Sequence, residues 1–261
     1  MINVFILTFC RNIDLFYGTE LVFKTLRTGF PNARITVVDN ASIPEVIPEI
    51  KSLAAGCDCQ FEGLSGNGLE HHTFLAKTLH DMASGESAHE TLVFIDPDVC
   101  FWKSCEDFSF HALIAGRRTS GFKLEKTKTI TMPRLHTSFL WIPDPKKLMR
   151  EIWRLRSSHF DFEPFIPFSF VMDGMWYRYD TGASLYAALS HKAESFAEDH
   201  LNRYDHIYCG SHLDWLSNVY DAETEKMMKE IHTYAKEGDL IRLKGIWKKQ
   251  VQDFSKITVN H

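Results

Sequence analysis

The first hundred residues alternate between short apolar runs and segments with helical spacing, and this alternation constrains the fold more than any other feature. The apolar runs are rich in β-branched and aromatic residues, which is typical of strands. They read INVFILTF, ARITVVDNAS, CDCQFEGL and TLVFID. Helical patterns lie between them, namely Leu15 to Arg27, IPEVIPEIKSLAAG and LEHHTFLAKTLHDMAS. Because the connections are short, this order predicts an α/β fold with a mostly parallel sheet flanked by helices.

The second half of the chain is less regular. HTSFLWI predicts a strand, DPKKLMREIWRLRSS a helix, and the charged stretch from Glu223 onward further helix. DTGASLYAALSH predicts a helix that begins with Asp180 or Thr181 as its cap. Since no internal repeat or linker interrupts the sequence, we expect a single domain over residues 1–261, regular over 1–105 and irregular over 106–261.

Composition narrows the classes of function. The net charge of −5 argues against a uniformly basic nucleic-acid binder, although Lys123, Lys126 and Lys128 could form a local basic patch. The six cysteines include no CxxC pair, and such thin use fits a reducing compartment. The apolar N-terminus lacks a preceding basic region and is too short to cross a bilayer. We therefore expect a soluble, cytoplasmic protein without a transmembrane segment.

Two aspartates, Asp96 and Asp98, follow the apolar run TLVFI and are separated only by Pro97. Two carboxylates this close to a buried strand disfavour each other's ionisation unless a cation lies between them. A divalent cation such as Mn²⁺ or Mg²⁺ prefers oxygen ligands of this kind. The pair therefore predicts a metal site at the end of the strand, the alternative being that Asp96 caps a turn while Asp98 faces water.

Four segments of the first hundred residues resemble the nucleotide-sugar-dependent glycosyltransferases of the GT-A fold, which is Rossmann-like. They are VFILTFCRN, ITVVDNAS, GLSGNGLEHHTFLAKTLHDMAS and TLVFIDPDV, and their order and spacing carry the resemblance together. The resemblance implies a metal-dependent transfer of a hexose from a nucleoside diphosphate sugar to a hydroxyl acceptor. It also implies that residues 1–105 bind the nucleotide sugar and that residues 106–261, with the C-terminal helices, bind the acceptor.

The resemblance assigns roles to individual residues of the first half. Asp98 would bind the metal, with Asp96 helping through the metal or the ribose. Asp39 would contact the base, and because a carboxylate accepts from an imide N–H, a UDP-linked donor is favoured. Asp39 could equally be a plain turn residue before Asn40. The remaining residues expected around the donor are Thr8, Arg11, Asn40 and Asn67.

The second half would supply a further metal ligand and a general base. In YDHIYCGSHLDW, His206 is the favoured ligand and His212 stays open, while a core or surface role is the ordinary alternative for a histidine. Asp180 would be the general base if the reaction inverts configuration, with Asp173 as its competitor, although Asp180 could simply cap a helix. The aromatic residues between Phe160 and Tyr179 could form an acceptor-binding wall or fill a core.

Two other functions remain open. A nucleotidyltransferase acting on sugar phosphates would share the nucleotide and the metal, but it usually carries a glycine-rich basic loop after the first strand, where this chain reads TFCRN. A non-catalytic carbohydrate-binding module would keep the fold without turnover. The acceptor is left open among a glycan, a lipid, a protein, a small molecule and a modified DNA base, and peripheral contact with a membrane through the C-terminal charged helices is left open too.

Overall fold

The structure is a computed structural model that describes residues 1–64, 66, 68–124, 128–158, 162–207 and 222–246. Its strands are β1 (Ile2–Thr8), β2 (Arg34–Asp39), β3 (Gln60–Gly63), β4 (Thr91–Ile95), β5 (Val99–Phe101), β6 (Ile114–Thr119), β7 (Phe122–Leu124), β8 (Thr129–Thr131), β9 (Arg134–Ile142), β10 (Phe168–Met172), β11 (Met175–Tyr179), β12 (Ala193–Ser195) and β13 (Tyr204–His206). Its helices are α1 (Ile13–Gly29), α2 (Ile47–Gly56), α3 (His71–Ser84), α4 (Pro145–Ser158), α5 (Ala183–Leu189), α6 (Glu198–Leu201), α7 (Ala222–Glu237) and α8 (Leu240–Leu243), with a 3₁₀ turn at Ser190–Lys192.

The main sheet contains seven strands in the order β12-β6-β9-β4-β1-β2-β3. The pairings of β3, β2, β1 and β4 are parallel, as is that of β12 with β6. Only β9 runs against its two neighbours, β4 and β6. The fold class predicted from the sequence, an α/β fold with a mostly parallel sheet flanked by helices, is therefore confirmed.

The central strands are apolar on both faces because helices cover both sides of the sheet. Ile6 of β1 and Ile95 of β4 belong to one buried cluster, which α1 and α2 complete. Leu7 and Phe94 belong to the cluster on the opposite side, which α3, α4 and α5 complete. This alternation along each strand explains why continuous apolar runs, rather than alternating ones, marked the strands in the sequence.

Three smaller units sit beside the main sheet. A third buried cluster joins α7 and α8 to α1 through Leu21, Ile207 and Ile231. The strands β5 and β13 form a two-stranded antiparallel ribbon, and β10, β11, β8 and β7 form a four-stranded sheet in that order. Within the residues described, no helix has both the length and the apolar character needed to cross a membrane.

The helix after Asp180 begins later than the sequence suggested. Helix α5 starts at Ala183, and its N-cap residue is Gly182, which adopts φ +80°. The expectation that Asp180 or Thr181 caps this helix is therefore wrong. The side chain of Asp180 instead forms an ion pair with Arg134 and accepts from the N–H of Thr181 over 2.9 Å, without a bond to the N–H groups of α5 itself.

The aromatic stretch between Phe160 and Tyr179 contains a β-hairpin, formed by β10 and β11. Met172 pairs with Met175, which leaves Asp173 and Gly174 as a two-residue turn. Both turn residues have positive φ, 52° and 73°, as a type I′ turn requires. Asp-Gly between alternating apolar residues is a strong hairpin signal, and proline residues upstream obscured it.

Gly29 offers a test of how tightly β5 is held against α1. A Cβ atom at Gly29 would lie 2.4 Å from Cγ of Phe101, whose ring is buried and packs edge-on against Phe30. We expect Gly29→Ala to lower the free energy of unfolding by about 1–3 kcal/mol, because overpacking forces this ring to move. Urea denaturation monitored by circular dichroism measures the change.

Gly56→Ala is the matched control, since Gly56 also ends a helix but has no atom within 4 Å of the added Cβ. Its unfolding midpoint should stay at the wild-type value or rise slightly. Equal midpoints for the two variants would show that the contact between α1 and β5 is loose.

Candidate functional site

The polar residues predicted at strand ends lie along one edge of the main sheet. Thr8 ends β1 and pairs with Asp39, which ends β2. On the other side of β1, Ile6 pairs with Ile95, the last residue of β4, so Asp96 leaves the sheet at the same edge. Carboxyl ends of adjacent parallel strands form the usual ligand-binding edge of an open α/β sheet.

His206 reaches this edge through the pairing of β13 with β5. His206 pairs with Val99, and the N–H of Ile207 donates to the carbonyl of Asp98 over 2.9 Å. The side chains then meet, with Nε2 of His206 2.9 Å from Oδ1 of Asp98. Both side chains are nearly buried, so the backbone ladder and the packing around it hold the two groups together.

Asp96, Asp98 and His206 together form a group that fits a divalent metal ion. Each offers one ligand atom, and the three atoms lie within 4.8 Å of one another. Carboxylate oxygens suit Mg²⁺ and Mn²⁺, and an added imidazole nitrogen favours the transition metal of the two. The donor set therefore matches the metal site that the aspartate pair predicted.

The Asp96 carboxyl carries the electrostatic strain of the group. Burial raises its pKa above the ordinary value, and neighbouring Asp98 raises it further, against the opposing effects of His71, His206 and Arg134. Since the raised pKa reflects a poorly solvated negative charge, an added cation at this place would relieve a cost that the fold already bears.

Two histidines near this group were missed by the sequence analysis. Nε2 of His71, the first residue of α3, lies 3.6 Å from Oδ1 of Asp96. The ring of His136 in β9 lies 5.1 Å from the ring of His206, centroid to centroid. His71 stands in a segment that carried the family resemblance, but no local pattern distinguished either residue among the chain's 13 histidines.

The loop before α3 is fastened to the end of β2 by Asn40. Its side-chain amide donates to the carbonyl of Leu69 over 2.7 Å and accepts from the N–H of the same residue. Gly68 is needed here, because its φ is +73° and a Cβ atom would lie 2.6 Å from Oδ1 of Asn40. This contact positions the start of α3, and with it His71. Asn67 lies outside the described residues.

Asp39 is almost fully buried and is oriented by its neighbours. Its Oδ1 accepts from the hydroxyl of Thr8 at 3.2 Å, and its Oδ2 accepts from the N–H of Ser42 at 3.3 Å. Arg11 follows β1 with its side chain exposed to solvent. The carboxylate of Asp39 therefore organises the turn after β2, and a contact with a base stays a prediction.

The two candidate bases lie in different surroundings. Asp180 forms an ion pair with Arg134 and lies 3.8 Å from Nη2 of Arg178. Burial would raise the pKa of Asp180, but the two guanidinium groups outweigh it, and the pKa lies below its ordinary value. Arg134 also lowers the pKa of Asp96, so one guanidinium group acts on both carboxyls. Asp173 is exposed at the hairpin turn, and His212 lies outside the described residues.

Comparison with known proteins finds similarity in structure only. No protein-family model matches the chain, and no curated protein does so significantly. Among solved structures, the glycosyltransferase GlyE of Streptococcus pneumoniae TIGR4 is similar with a TM-score of 0.44 and 11% identity, over 77% of this chain and 46% of that one. The chain thus spans under half the length of that protein.

Two other solved structures show the range of the likeness. The mannosyltransferase PcManGT from Pyrobaculum calidifontis, in complex with GDP-Man and Mn²⁺, has a TM-score of 0.43 and 11% identity, over 99% of this chain and 76% of that one. A nucleoside-diphosphate-sugar pyrophosphorylase from Vibrio cholerae RC9 has a TM-score of 0.45 and 12% identity, over 84% of this chain and 100% of that one. Glycosyltransferases, the group that the sequence resembles, are thus among the similar structures, but likeness this distant carries no inference about function.

The opposite pKa shifts of Asp96 and Asp180 predict opposite effects on stability. In EDTA at pH 7, Asp96→Asn should raise the free energy of unfolding, because it removes a charge that folding disfavours. Asp180→Asn should lower it, because the ionised carboxylate is favoured by Arg134 in the folded state. Urea denaturation of both variants beside the wild type measures the two differences.

The pH dependence checks the cause of each effect. A lowered folded pKa contributes stability above the ordinary aspartate pKa of about 3.9 and loses it as the pH falls, so the deficit of Asp180→Asn should shrink toward pH 3. The penalty at Asp96 develops as the pH rises from that value, so the gain of Asp96→Asn should also shrink in acid. Differences that stay constant from pH 3 to pH 7 would contradict the electrostatic explanation.

Proposed function

We propose that this protein is a metal-dependent glycosyltransferase that moves a hexose from a nucleoside diphosphate sugar to a hydroxyl acceptor. The observation that supports it most is the group formed by Asp96, Asp98 and His206 at the carboxyl edge of the sheet. Two carboxylates and an imidazole in this position suit a Mn²⁺ or Mg²⁺ ion and, through it, a diphosphate.

The proposed chemistry divides between the ion and the chain. When bound, the ion would neutralise the negative charge that develops on the nucleoside diphosphate leaving group. Asp98 and His206 would hold it from the β5–β13 ribbon, and Asp96 from the end of β4. His71, which contacts Asp96, would keep that carboxylate in the orientation that binding requires.

A UDP-linked donor is the specific form of the proposal. The carboxylate of Asp39 lies at the end of the neighbouring strand and could accept the imide N–H of uracil, which cytosine and adenine lack. Thr8 and the turn at Ser42 hold this carboxylate in place. Arg11, Asn40 and Asn67 are the other residues that we place around the donor.

Asp180 is the proposed general base for an inverting transfer. Its ion pair with Arg134 keeps the carboxylate deprotonated at neutral pH and fixes its orientation. The same ion pair makes it a weak base, so the metal-bound leaving group rather than proton removal would have to dominate the rate enhancement. Asp173 is the competing assignment, and His212 is the competing metal ligand.

We place the enzyme in the cytoplasm. No disulfide joins the cysteines within the described part of the chain, although five of them are buried or half-buried there. Thiols in this condition fit a reducing compartment.

Ligand-dependent thermal stability tests the donor and the metal. UDP with Mn²⁺ should raise the melting temperature of the wild type more than UDP, Mn²⁺, GDP with Mn²⁺ or CDP with Mn²⁺, because binding to the folded state alone stabilises it. Asp98→Asn should abolish the shift, because it removes a ligand of the ion. Differential scanning fluorimetry in EDTA-treated buffer measures the shifts.

Asp58→Asn is the matched control, since Asp58 precedes β3 at the opposite edge of the sheet and its φ of 52° is tolerated by asparagine. This variant should keep the full shift. A shift that survives in Asp98→Asn would contradict the metal site, and a larger shift with GDP would contradict the choice of uracil.

Transfer activity tests the base. Asp180→Asn should keep the thermal shift with UDP and Mn²⁺ but lose at least about 100-fold in kcat, in line with the usual contribution of a positioned base. Asp173→Asn should keep both. Release of nucleoside diphosphate from a panel of UDP-sugars, with and without candidate acceptors, measures the rate.

The product distinguishes this function from the nearest alternative. A glycosyltransferase releases the free nucleoside diphosphate, whereas a nucleotidyltransferase acting on sugar phosphates releases pyrophosphate. Pyrophosphate formation from UTP and a sugar phosphate would therefore replace the proposal. Normal turnover by Asp180→Asn would leave the transferase proposal intact but move the base to Asp173 or to another group.

A further inference from the structure

We propose that the hairpin formed by β10 and β11 docks this protein onto an anionic phospholipid surface. The hairpin concentrates exposed apolar side chains to an extent seen nowhere else among the described residues. Eleven large apolar residues are exposed among the described residues, and six of them lie between residues 166 and 176. They are Ile166, Phe168, Phe170, Val171, Met172 and Trp176. A patch of this kind on a folded domain usually marks an interaction site.

The apolar side chains occupy both faces of the hairpin. Phe170 pairs with Tyr177 and lies on one face, whereas Val171 pairs with Trp176 and lies on the other. Val171 and Trp176 are 56% and 51% exposed, and Phe170 is 40% exposed. A protein partner that packs on a sheet covers one face, and the other would stay in water. A lipid interface surrounds the inserted element, so it can cover both.

The packing of the rings argues against a sugar as the occupant. Phe168 stacks on Tyr179 with centroids 4.5 Å apart and planes 8° apart, and Phe170 stacks on Tyr177 at 5.2 Å and 9°. In each pair the two rings cover one face of each other, so those faces are closed to a sugar ring. The acceptor-binding wall that the sequence suggested stays a prediction.

The charges of the four-stranded sheet complement an anionic surface. Along its described strands and the residues that flank them, Lys123, Lys128 and Arg178 are positive and Asp173 and Asp180 are negative, a balance of +1 in a chain whose net charge is −5. The three cations and Asp173 are exposed, and Nη2 of Arg178 lies 3.8 Å from Oδ1 of Asp180. The backbone N–H of Trp176 donates to the backbone carbonyl of Lys128 over 2.8 Å, so an exposed lysine and an exposed tryptophan are neighbours in this sheet. Basic residues next to exposed aromatic ones are typical of surfaces that bind anionic headgroups.

The geometry limits how deeply the hairpin can enter. Strand β10 is at the edge of its sheet, so half of its backbone N–H and C=O groups lack a strand partner. Such groups are costly in hydrocarbon but find water among the headgroups. Asp173 at the turn adds a charge that also has to stay hydrated. The hairpin should therefore lie at interfacial depth, with Trp176 and the phenylalanine rings near the boundary of the acyl chains.

Helix α4 is the competing surface, because it exposes Trp153 among several basic residues. Three of its five cations form ion pairs, Lys147 with Asp144, Arg154 with Glu151 and Arg156 with Glu163. Trp153 is the large apolar side chain that α4 exposes, whereas the hairpin exposes five. The hairpin is therefore the better candidate, and α4 supplies a matched control.

Sedimentation with phospholipid vesicles tests the proposal on the full chain. Wild-type protein should bind vesicles of phosphatidylcholine with phosphatidylglycerol, bind pure phosphatidylcholine at least about tenfold more weakly, and lose binding as the salt concentration rises. Val171→Ser with Trp176→Ser should lower the partition coefficient for the anionic vesicles by about tenfold or more. Trp153→Ser should bind within about twofold of wild type, although Trp153 is as exposed as Trp176, at 51%.

A spectroscopic measurement covers the case in which the double variant folds poorly. Brominated phospholipids should quench part of the wild-type tryptophan emission, and the conservative Trp176→Phe should remove that part while Trp153→Phe leaves it. Absence of wild-type binding to anionic vesicles overturns the proposal, as does a loss confined to the Trp153 variants. A change in oligomeric state by light scattering without vesicle binding would assign the hairpin to a second copy, and weaker binding of an oligosaccharide alone would assign it to a glycan.

The proposal does not rest on the transferase function. Asp98→Asn should bind vesicles as the wild type does, because Asp98 belongs to the metal group and not to the hairpin. Vesicle binding with no response to any nucleotide would therefore contradict the proposed function and leave the docking surface intact. A thermal shift with UDP and Mn²⁺ without vesicle binding would contradict the docking surface and leave the proposed function intact.

Discussion

Two carboxylates that leave a buried strand side by side are the constraint around which the functional edge of this protein is arranged. At Asp96, burial and the neighbouring carboxylate both raise the pKa and so oppose ionisation. The structure answers with three groups that favour the charge, His71 from a helix start, Arg134 from β9 and His206 from the β5–β13 ribbon. These groups reduce the cost without removing it, and a divalent cation would complete the compensation.

The scaffold holds this arrangement from behind. Helix α1 supports β5 through the close approach of Gly29 to Phe101 and through the hydroxyl of Thr25, which accepts from the N–H of Phe101 at 3.1 Å. On the far side, Asp205 accepts from the indole N–H of Trp102 at 2.5 Å and from the N–H of Gly245 at 2.7 Å. The ribbon that carries Asp98 and His206 is therefore fixed between α1 and the C-terminal helices. A change in α1 or in the C-terminal helices would therefore alter the positions of Asp98 and His206.

The site and the rest of the molecule use ionic groups in different ways. Asp180 is stabilised by the two arginines that flank it, so its charge strengthens the folded state. Asp96 is under the influence of one of the same arginines, yet its charge weakens the folded state. A buried carboxylate whose ionisation is disfavoured by folding is typical of a place where a bound cation can compensate the negative charge. Binding sites often lower the stability of the free protein in this way. Arg134 acts on both carboxylates, through an ion pair with Asp180 and through its charge at Asp96.

The sequence by itself determined the fold class and the aspartate pair. Apolar runs buried on both faces and helical stripes are local patterns, and short connections leave few topologies open to them. It also marked His206, through a family resemblance, but could not say that it meets Asp98, because that contact joins residues 108 positions apart through a ribbon with no local signature. Only the tertiary structure decided that β9 runs antiparallel between β4 and β6 and that Asp180 pairs with Arg134 instead of capping α5. It also decided that His71 and His136 lie beside the group formed by Asp96, Asp98 and His206. Each of these depends on which distant segments pack together, and side-chain periodicity along a single chain carries information about the buried face of an element but not about its neighbour.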